Sequence, residues 1–415
     1  MSRAPAKAST ANDAPDTAVN GATGAGVGPA GSGDEPFRFF DNREKYLLFV
    51  TTTSEKPMVA ARIGRELDLI QPRPPALRVF DAGTGNGVVM SHVLRQMHQR
   101  FPTVPVCVVG KEISMEDTRL TLSTLPDRLA EHPSTVVVLT NMLYSESPYL
   151  YPNSPENQAK LNWHEVALEG NSAHEFFQQI EGLDRVLTDG WQTTTSAKSG
   201  NPIYATPSVL VLYRKDHEFV LDDVIPRNIG ARQPGGYDLA LAAQPYRSRT
   251  PAEPKVRSVL APLARSLAVN GRLVVVQSTG HDPGMEIIRR IWPTEDPFET
   301  PRHTLIGELE RQLNGDGGGP DAPFAFEGAS DDRSLFTYHL HAMPNEVSSR
   351  ISTSTILAAW NAAVYVAQIE DERITAELRA GTYLAPTADV VRKHGGLWFQ
   401  DESFVVVRRN AGVAP

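Results

Sequence analysis

Leu77-Arg78-Val79-Phe80-Asp81-Ala82-Gly83-Thr84-Gly85-Asn86-Gly87-Val88-Val89-Met90 is the stretch that decides the fold. Leu77 to Asp81 is short and apolar, as a strand buried on both faces must be. Three glycines at alternate positions then let the chain turn sharply and leave no Cβ against a neighbour. From Val88 to Arg100 the apolar residues recur at helical spacing. The unit reads strand, glycine turn, helix. The first N–H groups of such a helix have no partner within it and face the turn.

The same alternation continues downstream. Val104 to Gly110 reads as a second strand and Met115 to Leu129 as a second helix. Thr135 to Thr140, Tyr237 to Ala243 and Arg272 to Gln277 read as further strands, with a helix at Val256 to Leu267 before the last. Short strands alternating with helices predict an α/β fold, doubly wound, with a mostly parallel sheet and helices on both faces. Upstream, Tyr46, Leu47, Val50, Val59, Ile63, Leu67 and Ile70 predict helix over 43–70, with Pro57 opening a second helix. Residues 1–35 are Ala, Gly, Thr, Ser, Asp and Pro with almost no large apolar side chain, so they read as a disordered tail.

Two long insertions interrupt the pattern. Residues 142–235 contain several prolines and a predicted hairpin, Ser208 to Tyr213 with His217 to Leu221. Residues 281–334 include the loose stretch Asn314 to Pro323. A strand at Leu335 to Leu340, a helix at Thr353 to Glu377 and a strand at Ser403 to Arg408 follow, enough for a terminal antiparallel pair. The expected organisation is a 1–35 tail, a helical segment 36–76, a core 77–280 carrying the insertion 142–235, and a part 281–415 that completes the sheet.

Glu112 closes the second strand, and a carboxylate there can accept both hydroxyls of a ribose. Asp81-x-Gly83-x-Gly85-x-Gly87 resembles the first motif of the class I S-adenosylmethionine-dependent methyltransferases, and Glu112 resembles their ribose-binding acid. Nicotinamide dehydrogenases prefer Gly-x-Gly-x-x-Gly; here residue 88 is Val and the strand ends in Asp81. The resemblance covers about 77–280. It implies a Rossmann-like seven-stranded sheet with S-adenosyl-L-methionine over its C-terminal edge, and a methyltransferase activity. It also implies a cofactor-binding set of Asp81, Gly83, Gly85, Gly87, Glu112, Asn141 and Met142. Asp81 would accept from the methionine amino group, Gly83 and Gly85 would pass beneath the ligand, and Asn141-Met142 would meet the adenine, with Asn standing where the family often has an acid. Gln244-Pro245-Tyr246-Arg247 partly matches a polar-proline-proline-aromatic motif of some amino-group methyltransferases. Gln244, Tyr246 and His281 are therefore the candidates for a role in catalysis.

Composition narrows the acceptor. The 415 residues carry a formal net charge of −9, which opposes a broad phosphate-binding face. A small molecule is the expected acceptor; a nucleic acid or protein acceptor, or a non-catalytic cofactor-binding module, are the alternatives. Trp163, Trp191 and Tyr204 in the first insertion are the expected aromatic wall of an acceptor pocket. Cys107 lies in an apolar run and reads as core. His339 and His341 share a strand face without a third ligand, so no metal is expected. No stretch reaches the ~20 apolar residues that span a bilayer, and no apolar leader opens the chain, so the expectation is a cytoplasmic protein without membrane contact.

Overall fold

The computed structural model describes residues 43–196, 200–233, 235–315, 322–328, 330–341 and 351–410. The expected 1–35 tail lies outside these, as does most of the loose stretch 314–323. The sheet is built on β1 (Leu77–Ala82), β2 (Val106–Lys111) and β3 (Thr135–Thr140), paired in parallel. β2 and β3 are buried along their whole length, as valine runs between two helical layers must be. The alternation along each strand feeds two apolar layers. Val79, Val108 and Val137 face one side with Val93, Leu94 and Met97 of the Val88–Arg100 helix. Phe80, Val109 and Val138 face the other, with Val256, Val259 and Leu263.

The insertion 142–235 contributes β4 (Asn162–Leu168), the small ribbon β5 (Thr193–Thr195) with β6 (Pro202–Tyr204), and β7 (Ser208–Arg214). The core resumes with β8 (Tyr237–Ala243) and β9 (Leu267–Ser278). It ends with β10 (Phe324–Glu327), β11 (Leu335–His339) and β12 (Trp398–Arg408). The order is β10-β12-β9-β8-β1-β2-β3-β7-β4, with β11 also pairing β12. β8 and β9 continue the parallel set, whereas β12 runs antiparallel to β9 and pairs antiparallel with both β10 and β11.

The expected seven strands are thus ten in the main sheet. The extra edge comes from the insertion. The predicted hairpin of 208–213 with 217–221 does not form; β7 pairs antiparallel with β3 and parallel with β4 instead. β7 is fully buried and needs a neighbour on each side, which a surface hairpin does not supply. Two predicted helices are also broken into shorter ones. Helix 115–129 breaks at Thr124, ahead of Pro126, into Met115–Ser123 and Leu125–Glu131. Helix 353–377 is Thr353–Val366 followed by Asp371–Ala380, and Leu384–His394 is a further helix not foreseen. The region 43–70 is two helices, Arg43–Thr52 and Glu55–Leu67, with Pro57 in the first turn of the latter.

A third apolar cluster lies beyond the two layers. It joins Phe49 to Ile287 and Ile288, Tyr338, Ala359, Trp360, Ala363 and Phe399. Through it the first helix of the described chain packs against the Thr353–Val366 helix. Asn361 Nδ2 donates to the Lys45 carbonyl (2.9 Å), tying the two helices together. Among the described residues no helix is long and apolar enough to cross a membrane.

Candidate functional site

The turn after β1 holds three glycines at positive φ: Gly83 at 117°, Gly85 at 56° and Gly87 at 77°. A side chain at Gly83 would project into open space, whereas one at Gly87 would come within 2.7 Å of the Thr121 backbone. Gly87 therefore serves the packing of the Met115–Ser123 helix, and Gly83 leaves room above the loop. Thr121 Oγ1 donates to the Gly85 carbonyl (2.8 Å) and fixes the loop from behind.

Above the loop lies a cavity partly open to solvent. Asp81, Gly83, Thr84, Gly85 and Val89 form one wall; Ala243, Gln244 and Ser278, at the ends of β8 and β9, form the next. The remaining wall is helical and aromatic. It combines Tyr46, Phe49, Glu55 and Lys56 with Tyr338, Tyr365, Val366 and Gln368. Phe49 and Tyr365 stack at 4.8 Å between ring centroids. The Tyr46 hydroxyl accepts from the Asn86 amide (3.3 Å), which couples this wall to the glycine loop. Gln244 (φ 51°) and Gln368 (φ 53°) are two of four non-glycine residues at positive φ among the described residues, and both line the cavity. Backbone strain of this kind collects at ligand sites.

The charges are unusual. Asp81 is buried, and its Oδ2 has no hydrogen-bond partner. Burial pushes its carboxyl up to about 7, against the pull of Lys56. Thr84 Oγ1 is likewise buried without a partner. Lys56 Nζ is 3.1 Å from Glu55 Oε2. Burial works against the Lys56 ammonium, but Glu55, Tyr365 and Asp81 hold its pKa above the ordinary lysine value. Behind this wall Gln244 Nε2 donates to Ser278 Oγ (2.9 Å), and Ser278 Oγ donates to Asp401 Oδ1 (2.9 Å). Burial and the Glu55 charge push Asp401 up to about 8.

Of the sequence-derived residues, the cavity brings together Asp81, Gly83, Gly85 and Gln244. Glu112 does not line it. Its Oε2 accepts from the Gly85 amide (2.9 Å) and its Oε1 from the Ser114 amide (2.8 Å), so the carboxylate braces the loop from within. Burial and Asp117 push the Glu112 carboxyl up, while Lys111 and those two amides pull it down. Asn141 is spent on the insertion: Nδ2 donates to the Gly190 and Thr206 carbonyls (2.9 Å each) and Oδ1 accepts from the Ser208 amide (2.8 Å). Met142 is fully buried in the apolar layer. Tyr246 is buried, and its hydroxyl donates to Gln277 Oε1 (3.1 Å). His281, His339 and His341 are exposed.

None of Trp163, Trp191 and Tyr204 lines the cavity. Trp191 Nε1 donates to the Glu112 carbonyl (2.8 Å), and the Tyr204 hydroxyl to Glu146 Oε2 (2.9 Å). A smaller pocket adjoins the first, sharing Gln244 and Ser278. Lys255 lines it, 4.8 Å from the Tyr246 ring centroid and donating to the Ser248 carbonyl (2.8 Å) and to Thr300 Oγ1. Burial lowers this ammonium to about 8. Sequence reasoning missed Glu55, Lys56, Tyr365, Gln368, Lys255 and Asp401. The one available signal was the pair of opposite charges before Pro57, which in most helices marks only a solvated first turn.

No family model matches this sequence, and no curated protein matches it. Among solved structures, similar chains include a protein assigned as a sarcosine dimethylglycine methyltransferase from Galdieria sulphuraria, at 8% identity and a TM-score of 0.35, with 85% of this chain and 86% of that one covered. The [4+2]-cyclase SpnF is similar at 13% identity and a TM-score of 0.31, covering 86% and 81%. A geranyl diphosphate methyltransferase solved with GPP and sinefungin is similar at 13% identity and a TM-score of 0.32, covering 85% and 78%. At such scores the functional reading rests on the cavity and its residues.

Proposed function

We propose that this chain is an S-adenosyl-L-methionine-dependent methyltransferase acting on a small molecule. Asp81 carries the reading: a buried carboxylate at the end of β1, beside the glycine loop, with an oxygen left without a donor in the wall of the cavity. A buried anion of this kind calls for a cation or a donor from a ligand. The unpartnered Thr84 hydroxyl and the open space over Gly83 fit the same ligand. Asp81 would hold its ammonium, Gly83 and Gly85 would bring backbone against it, and Phe49 and Tyr365 would shield it from water. When bound, the cofactor supplies an activated methyl group, so the protein needs mainly to align an acceptor and leave it deprotonated.

Gln244 stands where the two pockets meet, and its amide would hold the acceptor there. The side pocket is small, with Lys255, Gln277, Ser278 and Thr300 around it beside the Tyr246 and Phe298 rings. That suits a small acceptor. The buried Tyr246 ring has no free face for a nucleobase, and the net charge of −9 opposes a nucleic-acid partner. The test is calorimetric titration with S-adenosylhomocysteine, then incubation with methyl-labelled S-adenosylmethionine and pooled metabolites or RNA. Binding, with label moving into small molecules, is expected. Absence of binding refutes the cofactor reading; label moving only into RNA refutes the acceptor.

A further inference from the structure

Two lysines among the described residues are buried, Lys111 and Lys255, each 2% exposed. Lysine is rarely buried unless its charge is paired. Lys111 precedes Glu112, whose charge supports its ammonium. Lys255 has no such neighbour. Its ammonium donates to the Ser248 carbonyl (2.8 Å) and to Thr300 Oγ1, and it lies 4.8 Å from the Tyr246 ring centroid. Among the described residues no carboxylate makes an ion pair with it; Glu402 and Glu299 act on it only from a distance. Glu402 is already engaged. Arg302 Nη1 donates to its Oε2 (3.0 Å), and the Arg302 amide and Gln277 Nε2 donate to its Oε1 (2.8 Å each).

This charge meets open space in the side pocket, which Lys255 lines with Gln244, Tyr246, Ser278 and Phe298. An ammonium has three hydrogens, and two are placed. Gln244 Nε2 has two, and Ser278 Oγ takes one. Two donors are thus left for two acceptor atoms. The pocket is small, so the anion that fits it is small, and a carboxylate is the smallest organic anion with two acceptor oxygens. We propose that Lys255 binds a carboxylate of the acceptor in this pocket, with Gln244 donating to its second oxygen, so that the chain selects small organic acids. This rests on the proposed methyltransferase function, because the pocket shares Gln244 and Ser278 with the cavity assigned to the cofactor. The carboxylate takes no part in the transfer and stays on the product.

The surroundings do not oppose an anion. Asp401 accepts from Ser278 behind the pocket, and burial holds its carboxyl up to about 8, so near neutral pH it keeps its proton. A Lys255 that only packs on the Tyr246 ring, or that acts only as a neutral amine taking a proton, makes a different prediction. Neither would distinguish an anion from its neutral isostere.

The experiment applies two small probes to the chain saturated with S-adenosylhomocysteine, followed by ligand-detected NMR. Acetate carries the charge; acetamide has the same shape without it. The wild type should bind acetate about 10-fold or more tighter, the usual yield of one charge-assisted hydrogen bond. Lys255→Met should bring the two affinities within about twofold by weakening acetate, with S-adenosylhomocysteine bound within about twofold of wild type. Unfolding curves confirm that folded protein is titrated, and Lys255→Gln replaces Lys255→Met where the latter does not fold. A second measurement follows label from methyl-labelled S-adenosylmethionine into pooled metabolites. The labelled product should be retained on an anion exchanger, and Lys255→Met should lose it. A wild type that binds acetate no better than acetamide, a lysine-free variant that keeps the preference, or label only in unretained products overturns the proposal and leaves the cofactor reading intact. A wild type that does not bind S-adenosylhomocysteine overturns both.

Discussion

Residues 142–235 and the helices of 43–67 with 353–366 are both additions to a parallel α/β core, and they do opposite things. The insertion has the sequence of a pocket builder: long, rich in prolines and aromatics, placed after a core strand. It builds an edge instead. β7 pairs with β3, β4 pairs with β7, and Asn141 clamps the new strands to the old. None of its described residues lines the cavity. The helices have the sequence of plain helical elements, yet with the turn that follows β1 they enclose the cavity, supplying Tyr46, Phe49, Glu55, Lys56, Tyr365 and Val366. Aromatic content did not mark the site. Two polar atoms buried without partners, Asp81 Oδ2 and Thr84 Oγ1, do lie in its wall, where the helices meet the glycine loop.

That contrast can be broken by separating stability from binding. Tyr204→Ala, in the insertion, should cost roughly 3 kcal/mol of stability, since it empties a buried aromatic site. The folded fraction should still bind S-adenosylhomocysteine within about twofold of wild type, an affinity change below about 0.5 kcal/mol. A loss of affinity of about 10-fold at unchanged melting temperature would return the insertion to the site.

Asp81→Asn should do the reverse. A charge-assisted bond lost from the ligand lowers affinity by about 10- to 100-fold. The ligand-free protein should melt no lower, because a buried carboxylate held at about 7 has been replaced by a neutral amide. Unchanged affinity in calorimetry would remove Asp81 from the site.

The smallest effect is a pH slope. Asp81 and Asp401 are held up to about 7 and about 8, chiefly by burial. The folded chain keeps protons there that the unfolded chain releases near pH ~4. Between those limits the unfolded state binds fewer protons, so these two groups make stability fall as pH rises. The ligand-free melting temperature should drop between about pH 5.5 and 7.5, and Asp401→Asn should flatten the slope. A slope identical in the variant would show that Asp401 titrates normally.

Some of this was legible in the chain. β1, the glycine turn and the Val88–Arg100 helix are local patterns of alternation and helical spacing, and all three form where the residues predict them. β4 was not legible. Asn162-Trp163-His164-Glu165 carries no apolar alternation, because an edge strand has only one neighbour and stays half-exposed. Glu112 was legible as an acid at a strand end, but not as a brace, since its partners are amides whose direction depends on how the loop closes.

The sequence by itself determined the parallel α/β core, the sharp turn after Asp81 and a carboxylate at its edge, because each follows from residues a few positions apart. Only the tertiary structure decided what stands above that turn. Lys45 and Asn361, 316 positions apart, join the helices that complete the wall, and Lys56 acquires its meaning only when it is brought to Asp81. Charge pairing across such separations depends on burial, which no local pattern of charges encodes.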